Sequence, residues 1–317
     1  MKSIASAPGK IILFGEHFVV YGIRAILCSI DKRITATSQF LDEKIVRVRS
    51  SLGVSEVELD SLNNLENIQQ KFMRPFFYIV KKAFEENSTV KGIEIILESE
   101  IPAGVGLGSS SAACVAVTAS VNGLFNKLSK DEIVKRAIQA ERTIFEQNSG
   151  ADSSVSTFGG LMSYDLKNGF QNIPSRNDLS FIISNSAQIH DTQDVVRQVR
   201  NFKEKNEDIF KILCEHEIEI VNNATTALKE NDLNKLGLLM VKNQELLQQI
   251  GISTEKIDLL VREATRTSYG AKITGAGGGG CIISLVDDSN RKYTLENLGK
   301  ISDCFLAKID FKGLIYE

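Results

Sequence analysis

The chain has 317 residues, 43% hydrophobic and 24% charged, with a formal net charge of −3. That length suits one large domain or two ordinary ones, and the composition is that of a globular protein. No run of like charge is long, which argues against a nucleic-acid or membrane-surface binder. The five cysteines (Cys28, Cys114, Cys214, Cys281 and Cys304) are odd in number, scattered and never in C-x-x-C spacing. Neither a disulfide framework nor a zinc site is expected, and a reducing compartment is the default. The opening MKSIASAPGK lacks the apolar core of a signal peptide. No apolar run approaches the roughly 18 residues of a membrane helix, so a soluble, cytoplasmic protein is expected.

In chain order, KIILF, VRVRS and GIEIIL are short, β-branched-rich runs that predict strands. Phe72, Phe76, Ile79, Val80 and Ala83 recur at helical spacing and predict a helix over 67–86. The run IPAGVGLGSSSAA from 101 to 113 then opens a small-residue helix reaching to about Phe125. Ser129, with Glu132 three residues on, is a capping box and starts a helix to about Glu146. A loop-like segment, KNGFQNIPSRND, divides the chain near Asn168. A strand at FIISN follows, then helical patterns from about 192 to 265 with polar breaks near 204, 231 and 252. AKITG and CIISLV flank the loop GAGGGG, and a helix and the strand FLAKIDF close the chain. Helices on mixed sheets make this an α+β architecture in two lobes, 1–167 and 168–317. No internal repeat is present.

The loop at 101–113 looks like a phosphate cradle yet matches neither common template. It has no lysine, as a P-loop requires, and its spacing is G-x-G-x-G-S rather than G-x-G-x-x-G. Candidate chemistry lies elsewhere. In APGKIILFGEHFVVYG, Lys10 follows a Pro-Gly pair read as a tight turn before a strand, with Glu16 and His17 on the strand's far side. Taken singly, Lys10 reads as a solvated lysine and His17 as a structural histidine. Glu141 falls within the apolar stripe Val134, Ala137, Ile138, Ile144 and Phe145. A carboxylate facing the interior needs a partner. A buried arginine is one candidate and a divalent cation, served by hard oxygen ligands, is the other. Asp152, in the small-residue turn SGADSS, is either a cap or a carboxylate aimed into a cleft. GAGGGG lies between apolar strands, so its glycines read as backbone approaching a ligand closely rather than as a linker.

Together the stretches APGK…GEH…VVYG, P-x-G-x-G-L-G-S-S-S-A, SGAD…VSTFGG and TGAGGGGC resemble the GHMP kinases, in the family's order from residue 7 to 281. The first stretch is the most specific and resembles the mevalonate-phosphorylating branch. Phosphomevalonate kinases are the nearest rival reading, followed by non-catalytic sensors of the same fold. The resemblance implies an N-terminal lobe like the second domain of ribosomal protein S5 and a ferredoxin-like C-terminal lobe carrying the GAGGGG loop.

It also implies roles. The loop Pro102-Ala103-Gly104-Val105-Gly106-Leu107-Gly108-Ser109-Ser110-Ser111-Ala112, with Gly277 and Gly278, would hold the phosphates of ATP. Ser110 and Glu141 would bind Mg²⁺, with Ser111 standing where alanine is common. Asp152 would accept the proton of the attacking hydroxyl, and Lys10 would sit close to both. Lys10, Glu16, His17 and Asp152 would meet the substrate, and His190 stands where some members have arginine. The reaction implied is transfer of the γ-phosphoryl group of ATP to the 5-hydroxyl of mevalonate, a step in isoprenoid biosynthesis. No nucleic-acid or membrane partner is implied; a homodimer is compatible with the sequence and not required by it.

Overall fold

Two long strands form the spine of the larger sheet in this computed structural model, which describes residues 1–87, 91–145, 148–174, 179–189 and 191–317. β1 (Lys2–Phe14) and β2 (Ala25–Leu41) run antiparallel. β3 (Ile45–Ser50) and β4 (Gly53–Glu58) form a hairpin, and β5 (Gly92–Ser99) lies between β2 and β3, parallel to β3. Four helices pack on this part of the chain: α1 (Arg74–Asn87), α2 (Ser109–Asn122), α3 (Lys130–Glu141) and α4 (Ala151–Phe158). β6 (Leu161–Asp165) pairs with β2 and turns back into β7 (Gly169–Ile173).

The central helix explains its own composition. α2 touches β1, β2, α1, α3 and α4, and Ser111 to Asn122 are all buried. A helix enclosed on so many sides is built almost wholly of Ala, Ser, Thr, Cys and Val. Enlarging one alanine there would overpack the core by about 1–3 kcal/mol.

The second sheet has four antiparallel strands: β8 (Ser180–Asn185), β9 (Gly270–Ile273), β10 (Cys281–Val286) and β11 (Asp303–Lys308), in the order β11-β8-β10-β9. This is the ferredoxin-like arrangement, with β10 inserted between β8 and β9. α5 (Thr192–Lys205), α6 (Glu207–Glu230), α7 (Leu233–Gln249) and α8 (Glu255–Thr265) connect β8 to β9. The breaks between them match those expected from the polar interruptions. α9 (Arg291–Leu298) precedes β11, and β12 (Ile315–Tyr316) returns to pair with β1. Arg33 of β2 secures that return by pairing with Asp310 and donating to the Gly313 carbonyl at 2.7 Å.

Four local readings are corrected. Pro8–Gly9 is no turn, because β1 runs through it with only a register shift. Gly9 is small for a different reason: a Cβ there would lie 2.8 Å from the Ile101 side chain and 2.9 Å from the Leu107 carbonyl. The first helix begins at Arg74, leaving Phe72 44% exposed. α3 keeps its capping box but stops at Glu141, leaving Phe145 exposed. The segment near Asn168 contains β7, because Gly169–Ile173 completes a hairpin.

Candidate active site

The Gly-Ser loop links β5 to α2, and Gly104, Gly106 and Gly108 hold φ of 73°, 85° and 71° there, values that side chains disfavour. Gly108 also makes room, since a Cβ would sit 2.7 Å from Cγ of Lys10. The loop therefore does have a lysine. The Lys10 backbone N–H donates to the Leu107 carbonyl at 2.9 Å, and its ammonium donates to the Gly106 carbonyl at 3.2 Å. That ammonium, itself buried, also lies 3.2 Å from the Asp152 carboxylate. The N–H groups opening α2 and the positive end of the helix face the same loop, a combination suited to anions.

Asp152 sits in the first turn of α4 and is 35% exposed at its side chain. The N-cap is Gly150, so Asp152 is not the cap. Gly150 has φ 80°, and a Cβ would meet Cδ1 of Ile138 at 2.4 Å. Close packing of α4 on α3 thus aims the aspartate at Lys10.

Glu141, at the end of α3, is buried, and among the described residues no arginine pairs with it. Its Oε1 accepts from the Ser111 hydroxyl at 2.7 Å. Its Oε2 accepts from Ser153 at 2.7 Å and Asn148 at 2.8 Å. Burial pushes its pKa up, the Ser111 and Ser153 hydrogen bonds oppose this, and nearby Asp152 raises it further. A carboxylate held by neutral donors and facing a second carboxylate is an oxygen-rich centre short of positive charge, which fits a hard divalent cation. Ser111, rather than Ser110, is the serine in contact with it; Ser110 is exposed. Among the described residues there is no group of three or more His, Cys, Asp or Glu that could hold a metal. Any cation here therefore draws on hydroxyl and phosphate oxygens as well.

Glu16 is corrected. It was expected to meet substrate, but its side chain is fully buried and paired with Lys272 of β9. Burial raises the Glu16 pKa and lowers that of Lys272, each opposed by the attraction of the other. His17 adopts φ 61° and ψ −41°, and its Nε2 lies 2.7 Å from the Ala276 carbonyl. Burial lowers its pKa, so the imidazole is neutral, with Nε2–H donating to Ala276 and Nδ1 left as an acceptor. The following Phe18 and Tyr21 lie against Phe210 of α6, with ring centroids 5.8 Å and 4.9 Å apart.

The GAGGGG loop is no linker. Gly275, Gly277, Gly278 and Gly280 all have positive φ, between 70° and 85°. Gly277 packs on Ile252, where a Cβ would lie 2.7 Å from the carbonyl, and the Gly278 N–H donates to that carbonyl at 2.7 Å. A Cβ on Gly275 would lie 3.4 Å from the Gly106 carbonyl, so the two glycine loops adjoin. His190 lies outside the described residues.

Sequence reasoning missed Ser153 and Asn148, which flank Asp152 in its motif, and also Lys272 and Glu217. Glu217 carried the signal that singled out Glu141. It falls on an apolar stripe of α6 with Leu213, Ile220, Val221 and Ala224. A cavity of about 650 Å³ lined by Lys44, Glu58, Asp60 and Lys81 lies toward the opposite end of β3 and β5 from the Gly-Ser loop.

Comparison with known proteins shows the family. Residues 75–160 match the GHMP kinases N terminal domain, and residues 224–298 match the GHMP kinases C terminal domain. A mevalonate kinase of Pyrococcus furiosus is 33% identical, covering 92% of this chain and 91% of that protein. The chain belongs to the GHMP kinases, in the mevalonate kinase branch. A mevalonate kinase of Methanocaldococcus jannaschii is 35% identical, covering 94% of this chain and 96% of the relative. The crystal structure of the Methanococcus jannaschii mevalonate kinase superposes with a TM-score of 0.87 at 30% identity, over 97% of this chain and 98% of that one. The mevalonate kinase of L. major, solved in complex with R-mevalonate, shares the fold, with a TM-score of 0.82 at 24% identity.

Proposed function

We propose that this GHMP kinase transfers the γ-phosphoryl group of ATP to the 5-hydroxyl of mevalonate, giving 5-phosphomevalonate and ADP. The observation that carries the reading is the Lys10–Asp152 pair, 3.2 Å apart beside the Gly-Ser loop. It puts a carboxylate able to receive a proton next to a cation and an anion-binding loop, in a chain aligned with mevalonate kinases along nearly its whole length.

The steps follow from those residues. The loop from Pro102 to Ala112 and the N-terminus of α2 hold the ATP phosphates, with Gly277 and Gly278 of the adjoining loop on the other side. Asp152 orients the 5-hydroxyl and receives its proton as the new O–P bond forms and the bond from Pγ to the ADP oxygen breaks. Lys10 holds Asp152 in place and offsets charge on the transferring group. Such transfer rests on positioning and charge stabilisation, with little covalent chemistry for the protein. Mg²⁺ would be held by Glu141 and the exposed Ser110, with Ser111 orienting the carboxylate, and would neutralise phosphate charge. His17, neutral, presents Nδ1 as an acceptor for a substrate hydroxyl. The division of labour between residues 1–167 and 168–317 belongs to the same reading, as does a cytoplasmic location. No helix among the described residues is long and apolar enough to cross a membrane.

The choice of mevalonate over phosphomevalonate rests on charge. A site for a further phosphate needs clustered or bidentate cations. GEHFVVYG has no arginine before Arg24, and SGADSSVSTFGG carries no cation. With Mg-ATP and a panel of mevalonate, phosphomevalonate, homoserine and galactose, kcat/KM for mevalonate is expected to exceed that for phosphomevalonate by at least ~100-fold. Comparable turnover of phosphomevalonate, or none of mevalonate, overturns the reading.

A further inference from the structure

Three consecutive residues of the GEH motif are each tied to the C-terminal half of the chain by a different chemistry. The Gly15 N–H donates to Oε1 of Glu217 at 2.9 Å. The Glu16 carboxylate pairs with the Lys272 ammonium. The His17 imidazole donates to the Ala276 carbonyl at 2.7 Å. Just upstream, the Ile12 N–H donates to Oγ1 of Thr274 at 2.8 Å.

The turn so held is strained. His17 has φ 61° and ψ −41°, and the Phe18 N–H donates to the Glu16 carbonyl at 2.7 Å, two residues back. This is the classic γ-turn, rare for any residue with a side chain. Such a conformation persists only where its surroundings over-determine it. Gly15 cannot help by bulk, because a Cβ there would lie 2.5 Å from Cα of Ala25.

The groups that hold the turn are themselves fixed. Lys272 is fully buried and also donates to the Ile273 carbonyl at 2.6 Å. Glu217 is fully buried, and its Oε2 accepts from Asn243 of α7 at 2.6 Å. α6, α7 and β9 thus converge on one turn. A buried ion pair is a poor device for stability alone, since apolar residues of similar volume often do as well. Its specific effect is to impose one geometry.

We propose that Lys272 and Glu217 are positioning residues for the phosphoryl acceptor. Lys272 grips the Glu16 side chain and Glu217 the Gly15 amide, and together they hold the His17 γ-turn so that the imidazole faces the acceptor site. Neither touches substrate. The inference rests on the reading of His17 as an acceptor-site residue, while the turn itself can be tested without substrate.

Two contrasts test it. In the first, Glu217→Gln keeps an oxygen for the Gly15 N–H, and Glu217→Leu removes it. Hydrogen exchange of the Gly15 and Phe18 amides is expected to quicken at least ~10-fold in the leucine variant and stay near wild type in the glutamine variant. In the second, Glu16→Gln combined with Lys272→Met removes both charges, so that neither is left buried alone. Its KM for mevalonate is expected to rise at least ~10-fold with KM for Mg-ATP within ~2-fold, the split produced by a misplaced acceptor site. Equal amide protection in the two Glu217 variants, or a wild-type mevalonate KM in a folded double variant, overturns the proposal. Absence of mevalonate turnover in the wild-type enzyme would refute the assigned reaction instead, leaving the exchange result to decide the fate of the turn.

Discussion

Two of the buried centres built around glutamates are satisfied in opposite ways. At the first, Glu141 receives hydrogen bonds, among the described residues, only from the neutral groups Ser111, Ser153 and Asn148, with the partly exposed Asp152 nearby. At the second, Lys272 pairs with Glu16 while Glu217 lies within its electrostatic influence, and none of the three is exposed. Among the described residues the first centre pairs Asp152 with Lys10 but gives Glu141 no cation, beside an anion-binding loop. The second carries its own counter-charge and needs no ligand. Burial alone therefore does not mark a site; what matters is whether the protein supplies the opposite charge.

Substitutions can break this contrast. The largest effect on stability is expected at the sealed centre. Lys272→Met leaves Glu16 buried without its cation and is expected to destabilise the fold by about 3–5 kcal/mol. Thermal or denaturant unfolding measures this, and a loss under ~1 kcal/mol would mean that water already reaches the pair. At the open centre, Asp152→Asn keeps shape and removes charge. There kcat is expected to fall at least ~100-fold, about 2.7 kcal/mol of barrier, with ATP affinity and melting temperature nearly unchanged. A near wild-type kcat would reduce Asp152 to a turn residue.

Glu141→Gln sharpens the comparison further. If the open centre is reserved for a cation, the variant folds and the Mg²⁺ concentration for half-maximal activity rises at least ~10-fold. A large drop in melting temperature with an unchanged Mg²⁺ requirement would make Glu141 structural, like Glu16.

A further expected effect is a change in pH dependence. Burial, then the nearby Glu16 charge, push the Glu217 carboxyl up to about 8 from an ordinary 4.5. A carboxyl raised in the folded state holds its proton there after the unfolded chain has released it. Its contribution to stability is complete below 4.5 and is lost as pH rises toward about 8. Glu217→Gln has no proton to hold. Its melting temperature relative to wild type should therefore climb between pH 5 and 8, by at least ~2 °C, and level off above. A constant difference across that range would show that Glu217 is ionised throughout.

Much of this could be read from local pattern. The capping box at Ser129, the helix breaks between 192 and 265, and the Glu141 position on an apolar stripe all reflect interactions within four residues along the chain. These are set by backbone geometry and solvent preference, and neighbouring residues suffice to reveal them. Readings that depended on packing fared worse. Pro8–Gly9 has turn chemistry, but the long β1–β2 ladder outweighs it and leaves only a register shift. α3 was expected to continue past Glu141, yet the chain leaves the helix there.

The residues themselves determined the family motifs, the globular composition and the kinds of group available: glycines for left-handed backbone, serines and carboxylates for a cation, and Lys10 near the N-terminus. Only the tertiary structure decided which of them meet. Lys10 reaches Asp152, 142 positions further along the chain, because Gly108 leaves room for its side chain and Gly150 lets α4 close on α3. Glu16 and His17 are adjacent, yet one is locked to Lys272 in the interior and the other faces Ala276. Sequence spacing cannot separate those two fates. They depend on which distant groups compensate a buried charge, and the energy of burying a charge is set by everything packed around it.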